Sequence, residues 1–395
     1  MSQRQVVVVS GARTAIGGYG GSLKDFQATR LGSIAIKEAV ARVKIDPASI
    51  GHVVMGSVIH GEARDMYLSR VAAVDAGLPV GTPCLTVNRL CGSGLQAIVS
   101  AAQHILLGDT DCVVGGGAES MSRAAYFLPT GRWGQRMGDA TIVDAMTGAL
   151  HDPFGHGHMG VTAENIAAKY GFTRDQQDAF ALESHRRAAS ALANGHFQSQ
   201  IVPIELKTRK GVEQFTLDEH VRRDLRPEDL AKLKAAFKKD GTVTAGNASG
   251  INDAAAAIVM MEAGAAQKAG VKAIARLLGY AHAGVDPQVM GLGPIPAVRR
   301  LFEKTGLKPE DMDVTESNEA FAVQAMAVTR DLGLDPAKVN PNGGAVALGH
   351  PIGATGCILT VKALYELERT QKRYALVTMC IGGGQGIAAI FERLH

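Results

Sequence analysis

Residues 87–101 read VNRLCGSGLQAIVSA. An apolar stretch ends at Val87, a polar, glycine-containing turn follows, and apolar residues then return with the period of a helix at Leu95, Ile98, Val99, Ala102, Ile105 and Leu106. The turn holds Cys91. Strand, turn and helix with a reactive side chain at the turn is how α/β proteins present chemistry at a strand's carboxyl end. A cysteine at the first turn of a helix also faces unpaired backbone N–H groups and the positive end of the helix dipole, which favour the thiolate. The competing reading is an inert thiol acting as a small hydrophobe, so the rest of the chain has to decide.

Outward from this unit, strands and helices alternate. Val6 to Val9 form an apolar run closed by a glycine-containing turn, a helix is expected over Thr29 to Arg42, and strands over His52 to Gly56 and Cys84 to Val87. From about Ser120 to Gly250 the alternation lapses into Gly-, Pro- and charge-containing segments, with one helix announced by the capping box Thr173, Arg174, Asp175, Gln176. This reads as a large insertion. The α/β texture returns with AAAAIVMME after Asp253 and continues to the end.

The two α/β parts resemble each other. The first has VN at 87–88, a glycine-rich turn, a helix and then DCVVGGGAES; the second has VN at 339–340, a glycine-rich turn, a helix from about Gly353 to Glu368 and then YALVTMCIGGGQG. A duplicated unit whose halves pack as a pseudo-dimer would bring both turns and both triple glycines to one centre.

Composition narrows the function classes. The chain has 395 residues, 46% of them hydrophobic, enough for large cores and two or three domains. A net charge of +3 without long runs of one sign points away from nucleic acid and anionic membranes. Five cysteines, an odd number with no CxxC pair, argue against disulfides and structural zinc. Neither a signal-length apolar segment nor about 18 consecutive apolar residues occurs, so a soluble, cytoplasmic protein is expected.

The second half supplies further candidates. NPNGGAVALGHPIGATG puts His350 just before a helix, VTMCIGGG puts Cys380 ahead of a triple glycine, and ESNEAFAVQAMAV opens a helix with Asn318 and Glu319. Taken singly these read as a satisfied histidine, a buried thiol and a helix cap. HDPFGHGHMG offers His151, Asp152, His156 and His158 as metal ligands, but a glycine-rich loop without an ordered outer shell is a poor site, and no metal is expected. No GxxxxGK[ST] loop occurs, which removes nucleotide hydrolysis.

NRLCGSGLQAI, NEAFA, NPNGGAVALGHPIGATG and CIGGGQGIAAIFE, in that order after SGARTAIG, resemble the signature blocks of the thiolase family, specifically acetyl-CoA acetyltransferases and bacterial biosynthetic β-ketothiolases of the polyhydroxyalkanoate type. The resemblance covers nearly the whole chain. It implies an α/β thiolase fold: two duplicated βαβαβαββ halves packed as a layered α/β/α/β/α core, each a mainly parallel sheet, with an inserted loop domain. The divisions are 1–120 plus 251–275, 276–395, and the loop domain 121–250.

The resemblance also implies roles. Cys91 carries the acyl group and His350 activates it; Cys380 takes the Cα proton of a second acetyl-CoA; Asn318 holds a water that with His350 stabilises the enolate; and the N–H groups of Cys91 and Gly382 form a second oxyanion site. The loop domain would cover coenzyme A, with Leu150, His158, Met159, Arg222, Phe237, Ala245, Ser249 and Phe321 as binding positions. Coenzyme A and acyl-CoA are then substrates, and no cofactor is permanently bound. Many biosynthetic relatives have a serine where Asp229 stands, which puts one adenosine contact in question. Biosynthetic members are usually homotetramers, dimers of dimers joined by a hairpin near residues 123–140, which contains Trp133. The expected reaction is condensation of two short acyl-CoA molecules to a 3-ketoacyl-CoA, and its reverse.

The chemistry asks for this set on its own terms. Acyl transfer between thioesters needs a nucleophile that is also a good leaving group, and condensation needs a base together with donors for the enolate oxygen. A degradative 3-ketoacyl-CoA thiolase would use the same machinery. A cysteine hydrolase would share Cys, His and Asn but would have no use for Cys380 or for tandem halves. A non-catalytic thiolase-like protein has no reason to keep all four side chains.

Overall fold

The computed structural model describes residues 4–209 and 211–395. The valine run does not stop at the expected turn: β1 spans Val6–Thr14, with a bulge between Val8 and Ser10. Gly11 lies inside it because a Cβ there would press on Ile258 and Val361 at 3.2 and 3.3 Å. α1 (Ala28–Val43), β2 (His52–Gly56), α2 (Leu68–Asp75), β3 (Cys84–Val87), α3 (Ser93–Leu107) and β4 (Cys112–Ser120) follow.

Between Ser120 and Asn252 the described residues add only the short strand Ile201–Val202 to the main sheet, beside β1. This segment holds α4 (Met159–Tyr170) and α5 (Arg174–Ala193), the latter opening with the Thr173–Gln176 capping box expected from the sequence. A fully buried two-pronged ion pair, Arg13 to Asp218 at 2.7 and 2.9 Å, ties it to β1. β5 (Asn252–Glu262), β6 (Ala275–Gly284), α6 (Pro294–Thr305), β7 (Val314–Ser317), α7 (Ala322–Leu332), α8 (Ile352–Thr370), β8 (Tyr374–Ile381) and β9 (Gln385–Arg393) complete the chain.

The main strand order is β7-β8-β9-β6-β1-β5-β4-β2-β3. The expectation of mainly parallel halves needs correction. β2 pairs in parallel with β3 and β4, and β7 with β8, but β4–β5–β1 and β8–β9–β6 are antiparallel. A tight turn, Gly382–Gly384, joins β8 and β9 and allows them only antiparallel pairing, and the parallel pairs are separated by helical crossovers; β4 and β5, antiparallel across the long 121–251 segment, show that a long connection permits either sense. The duplication is otherwise complete, since Val339 bridges Thr315 in parallel where the first half has β3.

The halves meet at a short seam, Val7 with Arg276 and Val8 with Ala275. Across it α8 touches β4 and β5 of one half and β7 and β8 of the other, and α3 packs beside it, while α1 and α2 cover one outer face and α6 the other. Five layers result. The stretch Leu90–Leu107 is long and apolar enough by composition to cross a membrane, yet here it forms α3 and the turn before it, a central helix whose apolar face is buried against β2 and β4. Where α3 and α8 cross there is no room for side chains: a Cβ on Gly356 would lie 2.2 Å from the Leu95 nitrogen, and one on Gly94 2.8 Å from the Cys357 nitrogen. The glycines of the two turn motifs thus let the starts of the two helices converge.

Candidate active site

Cys91 sits on a turn held by its neighbours. Asn88 Oδ1 accepts the Leu90 N–H at 2.9 Å, and Ser93 Oγ accepts the Arg89 N–H at 2.8 Å while donating to the Leu90 carbonyl at 2.7 Å. Leu90 is thereby kept at φ 42°, a left-handed conformation costly for a branched side chain and common at functional turns. Cys91 precedes α3 instead of lying in its first turn. The N–H groups of Gly382 and of Cys91 itself favour the thiolate, but burial outweighs them and pushes the thiol up to about 11, with the Glu119 charge acting in the same direction. Burial thus favours the neutral thiol of Cys91. Against the sequence expectation of a stabilised thiolate, desolvation acts in the opposite direction to the two N–H groups.

His350 lies on the turn before α8. Its N–H donates to Asn252 Oδ1 at 2.9 Å, its Nδ1 is 2.7 Å from Thr355 Oγ1, and its Nε2 is 3.5 Å from Asn318 Nδ2. Burial lowers the imidazole to about 4, so it too is neutral. Asn318 follows β7 and does not cap α7, whose cap residue is Phe321; its Oδ1 is buried with no protein partner. Cys380, near the end of β8, is wholly buried, and burial together with neighbouring Cys91 pushes its thiol up.

These groups meet at a cavity of about 450 Å³. Cys91, His350 and Gly382 line it, as do Leu150, His158, Met159 and Arg222, and also Phe237, Ala245, Ser249 and Phe321. Every binding position singled out from the sequence is on this wall; Asn318 and Cys380 lie behind it. His158 caps α4, accepting the Gly160 N–H at 3.0 Å, and stacks on Phe237 at 4.7 Å, which meets Phe321 edge-on at 6.1 Å. Arg222 is an exposed residue on this lining. An apolar channel with an exposed cation on its lining suits a long ligand with an anionic end.

Tyr19, His220 and Met290 also line the cavity, and the sequence did not single them out, because each stands outside any motif. Asp229 does not line it; its carboxylate faces Arg226 at 3.3 Å and Lys232 at 3.7 Å. His151 meets His158 edge-on at 5.3 Å and His156 lies 4.0 Å from Asp152; among the described residues no three such side chains converge as metal ligands. A larger cavity of about 590 Å³, lined by Phe180, Arg187, Met326 and Leu334 among others, has no cysteine or histidine on its wall.

The family model of the thiolase N-terminal domain matches residues 6–264 and that of the thiolase C-terminal domain matches residues 271–393. The chain is 64% identical to the beta-ketothiolase BktB of Cupriavidus necator, over 99% of this chain and 100% of that one. It is 49% identical to the acetyl-CoA acetyltransferase of Allochromatium vinosum, over 98% and 99%. Its structure superposes on that of human mitochondrial 3-ketoacyl-CoA thiolase in complex with CoA with a TM-score of 0.97 at 43% identity, covering 100% of this chain and 99% of that one.

Proposed function

The chain belongs to the thiolase family and is an acyltransferase, and from that premise we propose that it is an acetyl-CoA C-acetyltransferase that condenses two acyl-CoA molecules by a ping-pong route and runs the reverse thiolysis. The observation that carries this reading is that Cys91 and His350 line one apolar cavity, with Asn318 beside His350 and Cys380 near Cys91 just behind its wall, and with exposed Arg222 on the same cavity.

Two neutral thiols and a neutral imidazole make a workable starting state. Cys91 attacks the thioester carbonyl as its proton passes to His350, and the N–H groups of Cys91 and Gly382, already aimed at the sulfur, face the developing oxyanion. Cys380 protonates the departing CoA and becomes the thiolate that removes the Cα proton of the second acetyl-CoA. The enolate oxygen is held by His350 and a water on Asn318, each such donor contributing about 3 to 4 kcal/mol. The enolate attacks the acyl carbonyl, Cys91 is expelled, and His350 returns its proton. Coenzyme A and its thioesters are substrates in this scheme, with no permanently bound cofactor.

The acyl range we infer is short, C4 to C5 products. Leu90 and Met159 support it: they lie 3.1 and 3.2 Å from where a Gly382 Cβ would stand, closing the cavity beside the nucleophile. Likeness to a beta-ketothiolase favours synthesis, feeding polyhydroxyalkanoate; likeness to a 3-ketoacyl-CoA thiolase keeps degradative thiolysis as the second reading. Thiolysis of acetoacetyl-CoA, 3-ketovaleryl-CoA and 3-ketohexanoyl-CoA tests this. Activity on the first two with a steep fall at the third is expected, and inactivity on all three would sink the assignment.

We also propose that residues 121–250 act as the unit for CoA binding and assembly, set between halves formed by 1–120 plus 251–275 and by 276–395. A homotetramer built as a dimer of dimers needs two different self-complementary faces. Two exposed apolar faces support it: one around edge strand β3 with Met66, Tyr67, Val80 and Leu85, the other on the hairpin pairing Tyr126–Phe127 with Val143–Asp144, where Trp133 is 88% and Met137 91% exposed. That hairpin reaches a few residues beyond the 123–140 expected. A light-scattering mass near one chain would refute the tetramer. A cytoplasmic location accords with five free cysteines.

A further inference from the structure

Cys91 and His350 belong to different halves, so their separation is set by contacts across the central layer. Two buried side chains of the first half make such contacts. In the antiparallel pair β4–β5, Glu119 stands opposite Ala254, and Asn252 is two residues from Ala254, so all three point from the same face of the sheet. Glu119 and Asn252 both end on the turn that carries His350.

Asn252 Oδ1 accepts the His350 N–H at 2.9 Å, and its Nδ2 donates to the Gly17 carbonyl at 3.0 Å. Glu119 Oε2 accepts the N–H of Gly353 at 2.7 Å and of Val58 at 3.1 Å, while Oε1 accepts that of Ile59 at 3.1 Å. Both residues are 0% exposed, and neither lines the cavity. The glycines of GHPIG fit these two side chains: a Cβ on Gly349 would lie 2.4 Å from Asn252 Cγ, and one on Gly353 2.7 Å from Glu119 Oε2.

We propose that Glu119 and Asn252 are positioning residues that together clamp the backbone of the 350–353 turn to the first half and so set the reach of His350 to Cys91. The inference rests on the assignment of His350 as the group that activates Cys91. The grip is on backbone N–H groups on the far side of the turn from the cavity, so its loss appears in chemistry and not in CoA binding. Two grips on one turn act as a unit, so losing either frees it and losing the second adds little.

The test uses Glu119→Gln, Asn252→Ala and the double variant, each checked for native circular dichroism and thermal midpoint; Glu119→Asp, which withdraws the carboxylate by one methylene, replaces Glu119→Gln if that variant does not fold. Two readouts are followed: kcat and KM for thiolysis of acetoacetyl-CoA, and the rate at which iodoacetamide alkylates Cys91 at neutral pH, located by peptide mass spectrometry. Each single variant should lose about 10- to 100-fold in kcat, the scale for a misplacement near 1 Å, with KM for CoA within about twofold. The double variant should lie within about threefold of the weaker single, and alkylation of Cys91 in Asn252→Ala should slow in step with kcat. Losses that multiply in the double variant, a raised KM at wild-type kcat, or a lowered thermal midpoint with wild-type kcat per folded molecule would each overturn the clamp. A wild-type protein without thiolysis whose Asn252→Ala form still alkylates slowly would instead remove the proposed reaction and leave the clamp standing.

Discussion

The Nδ1 atom of His350 lies 2.7 Å from the hydroxyl of Thr355, and that hydroxyl directs its own proton to the Pro351 carbonyl at 2.9 Å. Thr355 therefore accepts from Nδ1–H, which leaves Nε2 as the unprotonated nitrogen facing Asn318.

Thr355→Val should strand Nδ1–H in a buried pocket, at a cost of about 1 to 3 kcal/mol, and lower kcat roughly tenfold while sparing KM for CoA. Thr355→Ser should restore turnover. Wild-type kcat in Thr355→Val would show that this hydroxyl does not select the tautomer.

Asn318→Ala should slow condensation by about 10² to 10³, the usual loss for one oxyanion donor, and leave acylation of Cys91 by labelled acetyl-CoA largely intact. Equal loss in both half-reactions would make Asn318 a structural residue.

The two cysteines should separate cleanly. Cys91→Ala should take up no label from acetyl-CoA and should neither condense nor cleave. Cys380→Ser should still load acetyl onto Cys91 but accumulate it there, because a serine hydroxyl is a far weaker proton acceptor toward Cα. Label found on Cys380 of the native protein would contradict both roles.

The protonation state of the resting site has a pH signature. Burial raises the Cys91 thiol to about 11 and lowers His350 to about 4, so between those limits the pair is neutral. Alkylation of Cys91 by iodoacetamide should keep rising with pH beyond 9, where a free thiol with pKa of about 8.5 is already levelling off. A plateau at neutral pH would indicate a thiolate–imidazolium pair.

Arg222 is an exposed residue on the lining of the cavity. Arg222→Ala should raise KM for CoA at nearly constant kcat, as for binding shared by ground and transition states. Lower kcat at unchanged KM would remove it from the nucleotide end.

What the chain displays locally was readable in advance. The turns and helices after Val87 and before α8 and the capping box of α5 depend on hydrophobic period and turn chemistry within a dozen residues, and they appear as expected, except that Cys91 stands just ahead of α3 and that only an isolated bridge at Val339 takes the place of a strand in the second half. The binding positions on the cavity wall came from motif resemblance, while Tyr19, His220 and Met290 escaped because each is distant in sequence from the others and only folding gathers them.

The sequence by itself determined the α/β class, the duplication and the four side chains proposed for the chemistry, because periodicity, turn residues and motif resemblance are properties of the chain. Tertiary structure alone decided the mixed pairing of the sheet: a tight turn dictates the sense only for β8 and β9, while the long connection between β4 and β5 leaves either sense open. It also decided that burial favours the neutral thiol of Cys91, that the clamp of Glu119 and Asn252 falls on the His350 turn, and that glycines bring α3 and α8 into contact. Desolvation and backbone approach are sums over neighbours drawn from both halves, and no local stretch of sequence contains that sum.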